Sequence, residues 1–189
     1  MSIRKFWLKT SQMIIWDKKP KIAFKKKNGN YIDWFPDGKL NIFNNCITNN
    51  LQSKTRNKVA IYNVNKDKEI TSFSYQSLNN IINNFSKKLI TILNNNIKNS
   101  KIIIHGSASL ETAVSMLACA KLGIHFSVIF EDLAPEAILK RIDLIRPDLL
   151  ITRFEDKKFK KQILEKIKIR KSLKIFYISN KNIISLDRK

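Results

Sequence analysis

The chain reads as an α/β protein: a partial doubly wound parallel sheet preceded by an irregular, aromatic-rich N-terminal arm. Three observations predict this. From Lys101 to Ile178, four short apolar runs alternate with three helical segments of ten or more residues. Connections of that length join parallel strands, because an antiparallel hairpin closes in a few residues. The helical segment after the first run is apolar on nearly every side, which places it in a buried layer. Residues 1–55 differ from the rest: they hold all three tryptophans, two of the four glycines and two of the four prolines, with weak periodicity.

Taken in order, a short helix is expected near Ile3–Ile14, and the remainder of the arm is expected to lie on a larger body, pinned by its aromatic rings. Val59–Val64 and Glu69–Phe73 read as paired strands across the polar link Asn65–Lys68. Ser74 can cap the next helix, in which Tyr75, Leu78, Ile81, Ile82, Phe85, Leu89, Ile92 and Leu93 recur at steps of three and four. The asparagines at 94–96 end it. Lys101–Ile104 is the first parallel strand. Ser109 caps a helix reaching Leu122, and Gly123 suits its C-terminal cap. His125–Phe130 is the second strand. Pro135 opens a helix to Ile145, Pro147 breaks it, and Asp148–Ile151 is the third strand. Lys158–Ile169 is helical and Lys174–Ile178 is the fourth strand. The expected division is an arm, residues 1–55, and a second unit, residues 58–189.

Hydrophobic residues make up 43% of the 189, enough for a packed core, and the formal charge of +21 invites a nucleic-acid reading. The cation content argues against specific recognition. It is 29 Lys against 7 Arg, the charge is scattered in short clusters such as Lys25–Lys27, and base recognition favours the bidentate fork of Arg. Lys, Asn and Ile also share A/T-rich codons. No specific nucleic-acid partner is expected. Cys46 and Cys119 lie far apart and outside any CxxC, so no disulfide framework or zinc site is expected. The longest apolar stretch, Ala113–Phe130, is broken by Lys121, Gly123 and His125, and the N-terminus turns polar within a few residues, so no signal peptide is evident. The expectation is a cytoplasmic protein with no membrane partner.

In such a sheet, ligands bind beyond the carboxyl ends of the strands. The loops there are His105–Ala108 and Glu131–Ala134. A phosphate cradle needs clustered glycines, and Gly29, Gly38, Gly106 and Gly123 are dispersed. His105 and His125 have no nucleophile and acid at triad spacing and read as loop or strand-edge histidines. Glu131 and Asp132 read as solvated loop carboxylates. The run Lys157, Lys158, Lys160, Lys161 is either a solvated face or an anion contact near a helix N-terminus. No catalytic or metal-binding residue is assigned.

MLACAKLGIHFSVIF (Met116–Phe130), PEAILKRID (Pro135–Asp143) and PDLLIT (Pro147–Thr152) resemble the AMP-forming acyl-CoA synthetases, in the acetyl- and propionyl-CoA synthetase branch. FW at Phe6–Trp7, WFPDGKLNIFNNC at Trp34–Cys46, KVAIY at Lys58–Tyr62 and FSYQSL at Phe73–Leu78 extend the resemblance in the same order. It covers roughly residues 6 to 178. It implies the N-terminal subdomain of an adenylate-forming enzyme that uses ATP, Mg2+ and coenzyme A to convert a carboxylate to an acyl-CoA through an acyl-adenylate. The family's phosphate loop and its C-terminal domain with the catalytic lysine have no counterpart in these 189 residues. The resemblance therefore implies a fragment inactive by itself and needing no cofactor alone. Its partner would be the remainder of the synthetase.

One family element falls inside the chain. An Arg-x-Gly-Arg (or Lys) step after the VIT strand holds the 3′-phosphate of coenzyme A, and by the resemblance its basic positions fall on Lys158 and Lys161. Both charges are kept, as point charges in place of forks, with Lys160 where a glycine is usual. Glu131 and Asp132 replace the family's Gly-Gly, and other loop glycines and prolines are lost. That pattern is consistent with a remnant, a split-gene half or a stand-alone module. The alternative to an inactive ligase fragment is a binding module that complements a separately encoded remainder or binds coenzyme A or another anion. A basic nucleic-acid binder ranks below both. Without the rest of the adenylating domain, apolar helix or sheet-edge surface is expected to be exposed.

Overall fold

The computed structural model describes residues 1–29, 31–52, 54–65, 67–153, 157–167 and 173–179, with the backbone alone at 157–160. Helix α1 (Ile3–Thr10) starts at Ser2, whose Oγ accepts from the Lys5 N–H at 3.4 Å, and a 3₁₀ turn, Ser11–Met13, follows. Beyond that the arm is more regular than its sequence suggests. It contains a small antiparallel hairpin, β1 (Phe24–Lys26) and β2 (Ile32–Trp34). Strands of three residues carry no readable alternation. Rings stabilise them instead: Trp34 lies 4.9 Å from Trp7 and 5.4 Å from Phe24 in edge-on contacts. Trp16 packs on Phe35 at 5.4 Å, and its indole N–H donates to the Ser11 carbonyl at 2.8 Å. A wide helical turn, Asn44–Thr48, runs into the short α2 (Asn49–Leu51), and Phe43 and Ile47 insert into the main core.

β3 (Val59–Val64) and β4 (Ile70–Ser74) pair antiparallel, as the sequence predicts, with an irregularity between Val59 and Ile61. Helix α3 (Tyr75–Ile92) begins where Ser74 Oγ accepts from the Ser77 N–H at 3.1 Å. Its predicted stripe is buried at Leu78, Ile81, Ile82, Phe85 and Leu89. Asn94 and Asn95 take left-handed φ of +53° and +62° and turn the chain. Asparagine tolerates that region better than most side chains.

The main sheet is parallel throughout: β5 (Lys101–His105), β6 (His125–Ile129), β7 (Leu149–Thr152) and β8 (Lys174–Tyr177), in spatial order β6-β5-β7-β8. The crossovers are α4 (Leu110–Leu122), α5 (Pro135–Ile145) and α6 (Lys157–Ile167). Strand side chains alternate between two cores. Ile102, Ile104, Leu149 and Ile151 pack with α3 and α4, whereas Ile103 and Leu150 pack with Ile138 and Ile142 of α5 and Ile163 and Ile167 of α6. Helices thus cover both faces, and the central strands read as unbroken apolar runs. The fold is the doubly wound sheet that the sequence predicts, with strand ends displaced by a residue or so. Among the described residues, no helix is long and apolar enough to cross a membrane.

Candidate functional site

β5 and β7 are neighbours, yet their following helices leave toward opposite faces, α4 to the α3 side and α6 to the α5 side. Loops that diverge in this way open a crevice at the carboxyl ends of the strands. A cleft of 310 Å³ lies there. One wall is the Ser107–Ser109 loop after β5, with Glu111 from α4; Glu131 enters from the end of β6 and Arg153 from the end of β7. The opposite wall is the tip of the β3–β4 hairpin, at Asn63, Asn65 and Asp67.

The sequence builds this end of the sheet from local signals. Ser109 Oγ accepts from the Thr112 N–H at 3.3 Å and fixes the start of α4. Glu111 then falls in the first helical turn, where the N-terminal dipole favours a carboxylate. Its side chain is 1% exposed and lies 3.5 Å from the Arg153 guanidinium. This pair joins the N-terminus of α4 to the residue just after β7, across the switch point. At the strand ends themselves, His105 Nδ1 and Thr152 Oγ1 are 2.9 Å apart. His105 is 3% exposed, and burial pushes its imidazole down to about 4. It is therefore neutral near pH 7 and serves as a structural hydrogen-bonding group at the end of β5. His125, the first residue of the edge strand β6, is exposed.

The cleft collects three carboxylates, Asp67, Glu111 and Glu131, against the Arg153 guanidinium, in a chain whose formal charge is +21. Hydrogen-bonding groups line it, among them Ser107 and Ser109. Among the described residues, no group of three or more His, Cys, Asp or Glu side chains could hold a metal ion. Glu131 lines the cleft and Asp132 is exposed beside it. Neither residue has a positive φ, so the loss of glycine there imposes no left-handed strain.

Lys158 and Lys161 lie on α6, which begins after β7 and hence at the same end of the sheet as the cleft. Lys161 is exposed and pairs with Glu165 one turn on, at 4.0 Å. An ion pair that open to solvent contributes little stability. The Lys158 side chain lies outside the described part of the structure, as do residues 154–156. The sequence did not reveal the Glu111–Arg153 pair or the hairpin tip as a cleft wall. One signal was present: Glu111 is the only charged residue between Leu110 and Ala120.

Comparison with known proteins bears on the origin of this arrangement. Residues 2–46 match the model of the acetyl-coenzyme A synthetase N-terminus, and residues 49–186 match that of the AMP-binding enzymes. The acetyl-coenzyme A synthetase of Leptospira biflexa is 32% identical over 150 residues, which cover 78% of this chain and 23% of that protein. That of Helicobacter pylori is 31% identical over 148 residues, covering 78% of this chain and 22% of that protein. The chain therefore spans 22–23% of the length of these relatives. Among solved structures, the crystal structure of CmiS6 superimposes with a TM-score of 0.55 at 17% identity, over 62% of this chain and 27% of that one. At that identity the likeness concerns the fold alone.

Proposed function

The chain belongs to the AMP-binding enzyme family, and we propose that it forms the N-terminal part of an AMP-forming acetate– or propionate–CoA ligase. One observation carries the proposal: the synthetase N-terminus model and the AMP-binding model match back to back, at residues 2–46 and 49–186, in the order of a synthetase. In such a ligase ATP and the carboxylate form an acyl-adenylate, and the acyl group then passes to coenzyme A. The described residues offer a scaffold for this chemistry and no catalytic constellation. Glycine-rich phosphate contacts, the acyl pocket and the Mg2+ ligands would come from the rest of a full-length synthetase. The partner of this portion is then that remainder.

Lys158 and Lys161 are proposed to hold the 3′-phosphate of coenzyme A. They sit in the first turns of α6 at the ligand end of the sheet, where a helix N-terminus adds its own attraction for an anion. The same pair favours a second reading, in which the chain is a coenzyme A- or anion-binding module without ligase activity. Two measurements separate these. Purified 189-residue chain should release no pyrophosphate from ATP with acetate or propionate; release would refute the dependence on a remainder. Calorimetry should detect coenzyme A binding that weakens for dephospho-coenzyme A and for the Lys158→Gln, Lys161→Gln double variant. Equal heats from both ligands, or no binding and no co-purifying partner, would remove the assignment of these lysines and the module reading.

A further inference from the structure

A second groove, of 500 Å³, lies in the N-terminal arm. Arg4 and Leu8, one helical turn apart on α1, form one side of it. The six consecutive residues Lys21–Lys26 form the other, so the groove runs along β1 and its lead-in. Four lining residues are cations (Arg4, Lys21, Lys25 and Lys26) and none is an acid. Leu8, Ile22 and Phe24 add apolar surface beside the cations. Two carboxylates of the same segment are already engaged. Asp33 pairs with Lys27 at 2.7 Å, and Asp37 accepts from the Lys21 and Ile22 N–H groups at 2.9 and 3.1 Å.

One edge of β1 pairs with β2, and no other strand among the described residues takes the second edge. The register fixes which backbone groups face it. The Lys27 N–H donates to the Tyr31 carbonyl and the Phe35 N–H to the Ala23 carbonyl, both at 2.9 Å. Ala23 and Lys27 therefore turn their backbone groups toward β2, and the alternation of an antiparallel ladder has Lys25 do the same. Phe24 and Lys26, opposite Trp34 and Ile32, turn their N–H and C=O groups outward. The strand is braced from the α1 side. The Phe24 ring lies 5.4 Å from Trp34, and the Arg4 guanidinium stands over it at 5.4 Å. The open edge is thus held in place before anything binds to it.

We propose that the β1 edge binds an extended acidic peptide segment of another protein, which adds to the hairpin as a third strand. The peptide backbone meets the outward amides and carbonyls of Phe24 and Lys26, and its carboxylates lie among Arg4, Lys21, Lys25 and Lys26. Charge complementarity selects this occupant. A second copy of the chain would bring a +21 protein against its like, with lysines at the seam, and edge lysines are a common block to such pairing. The phosphates of a nucleic acid or a lipid offer acceptors only, and would set anions against the two outward carbonyls. The inference uses residues of the arm alone and stands apart from the ligase reading.

The probe is a decapeptide of alternating Glu and Val, acetylated and amidated, titrated into the 189-residue chain and followed by calorimetry and amide NMR. Binding should shift the Phe24 and Lys26 amides and slow their exchange with solvent, and it should weaken toward ~0.5 M salt as the charges are screened. Lys25→Glu with Lys26→Glu should weaken it roughly tenfold or more, at an unchanged melting temperature because both side chains are exposed. Should that reversal cost the fold, Lys21→Gln with Lys25→Gln must show the weakening in its place. Lys140→Glu with Arg141→Glu, the same charge change on exposed residues of α5, should cost far less. The peptide N-methylated at every residue keeps its charges, loses its donors and should not bind. No binding of the parent peptide, or equal binding of its N-methylated form, would overturn strand addition. Equal losses from the β1 and α5 reversals would reduce the effect to net charge and overturn the site. Decathymidylate that displaces the peptide and moves the same amides at equal or lower concentration would assign the groove to nucleic acid and overturn the proposal.

Discussion

His105 is the residue at which burial changes chemistry most visibly. Its imidazole, pushed down to about 4 by loss of hydration, stays neutral in the folded chain while the unfolded chain titrates near 6.5. Between those values the unfolded state binds a proton that the folded state refuses. The resulting stability is full above pH 6.5 and is lost as pH falls toward 4, by about 3 kcal/mol at most. Carboxylates titrate in part of the same range, so the measurement is a difference. Urea unfolding of the parent and of His105→Gln, taken at several pH values, should show a shallower slope in the variant between 6.5 and 4.5. Equal slopes would mean that His105 is not buried in the neutral form. The sequence reads this histidine as a loop or strand-edge residue, and the structure makes it the buried last residue of the central strand β5. The sequence could not show Thr152 beside it or Arg153 beside Glu111, because both contacts depend on β5 and β7 being spatial neighbours.

Elements were legible where their signals are local. Ser74, Ser109, Gly123 and Pro135 each mark a helix end from within the residues next to it, and each does so in the structure. The β1–β2 hairpin was not legible, because Phe24–Lys26 shows no alternation and its support comes from Trp7, far off in sequence. Two glycines separate local from tertiary demand. Gly123 caps α4 at φ +68°, and a Cβ there would meet nothing within 4 Å, so only the backbone is strained. Gly38 lacks a positive φ, but a Cβ would stand 2.7 Å from the Trp16 ring and 3.2 Å from Pro20. Gly123→Ala should cost about 1 kcal/mol. Gly38→Ala should cost more, because a packed indole must shift against Phe35. Denaturant midpoints rank the two; a milder effect at Gly38 would show that the arm's aromatic cluster yields easily.

At the scale of the whole molecule, the two thiols report how well the outer layer is tied to the rest. Cys46 is exposed, whereas Cys119 is buried in α4 and its thiol is pushed up to about 12 by desolvation. Only the thiolate reacts, so Cys119 can be labelled only when α4 opens. Local opening would need the helix to peel away from α3 and the sheet. Three ties oppose that. The Glu111–Arg153 pair fastens the first turn to the end of β7. Lys121 bonds Asn83 of α3 and lies 5.1 Å from the Phe43 ring centroid. Cys119 itself shares a core with Phe85 and Ile104. Labelling of Cys119 should therefore follow global unfolding, with a denaturant dependence equal to the equilibrium one. A net charge of +21 also repels itself, and salt well above ~0.15 M screens that repulsion. Added salt should thus slow Cys119 labelling while Cys46 reacts at an almost constant rate. Labelling of Cys119 that is fast and independent of denaturant would mean that α4 opens by itself, and that the ties at its two ends are too weak to hold it.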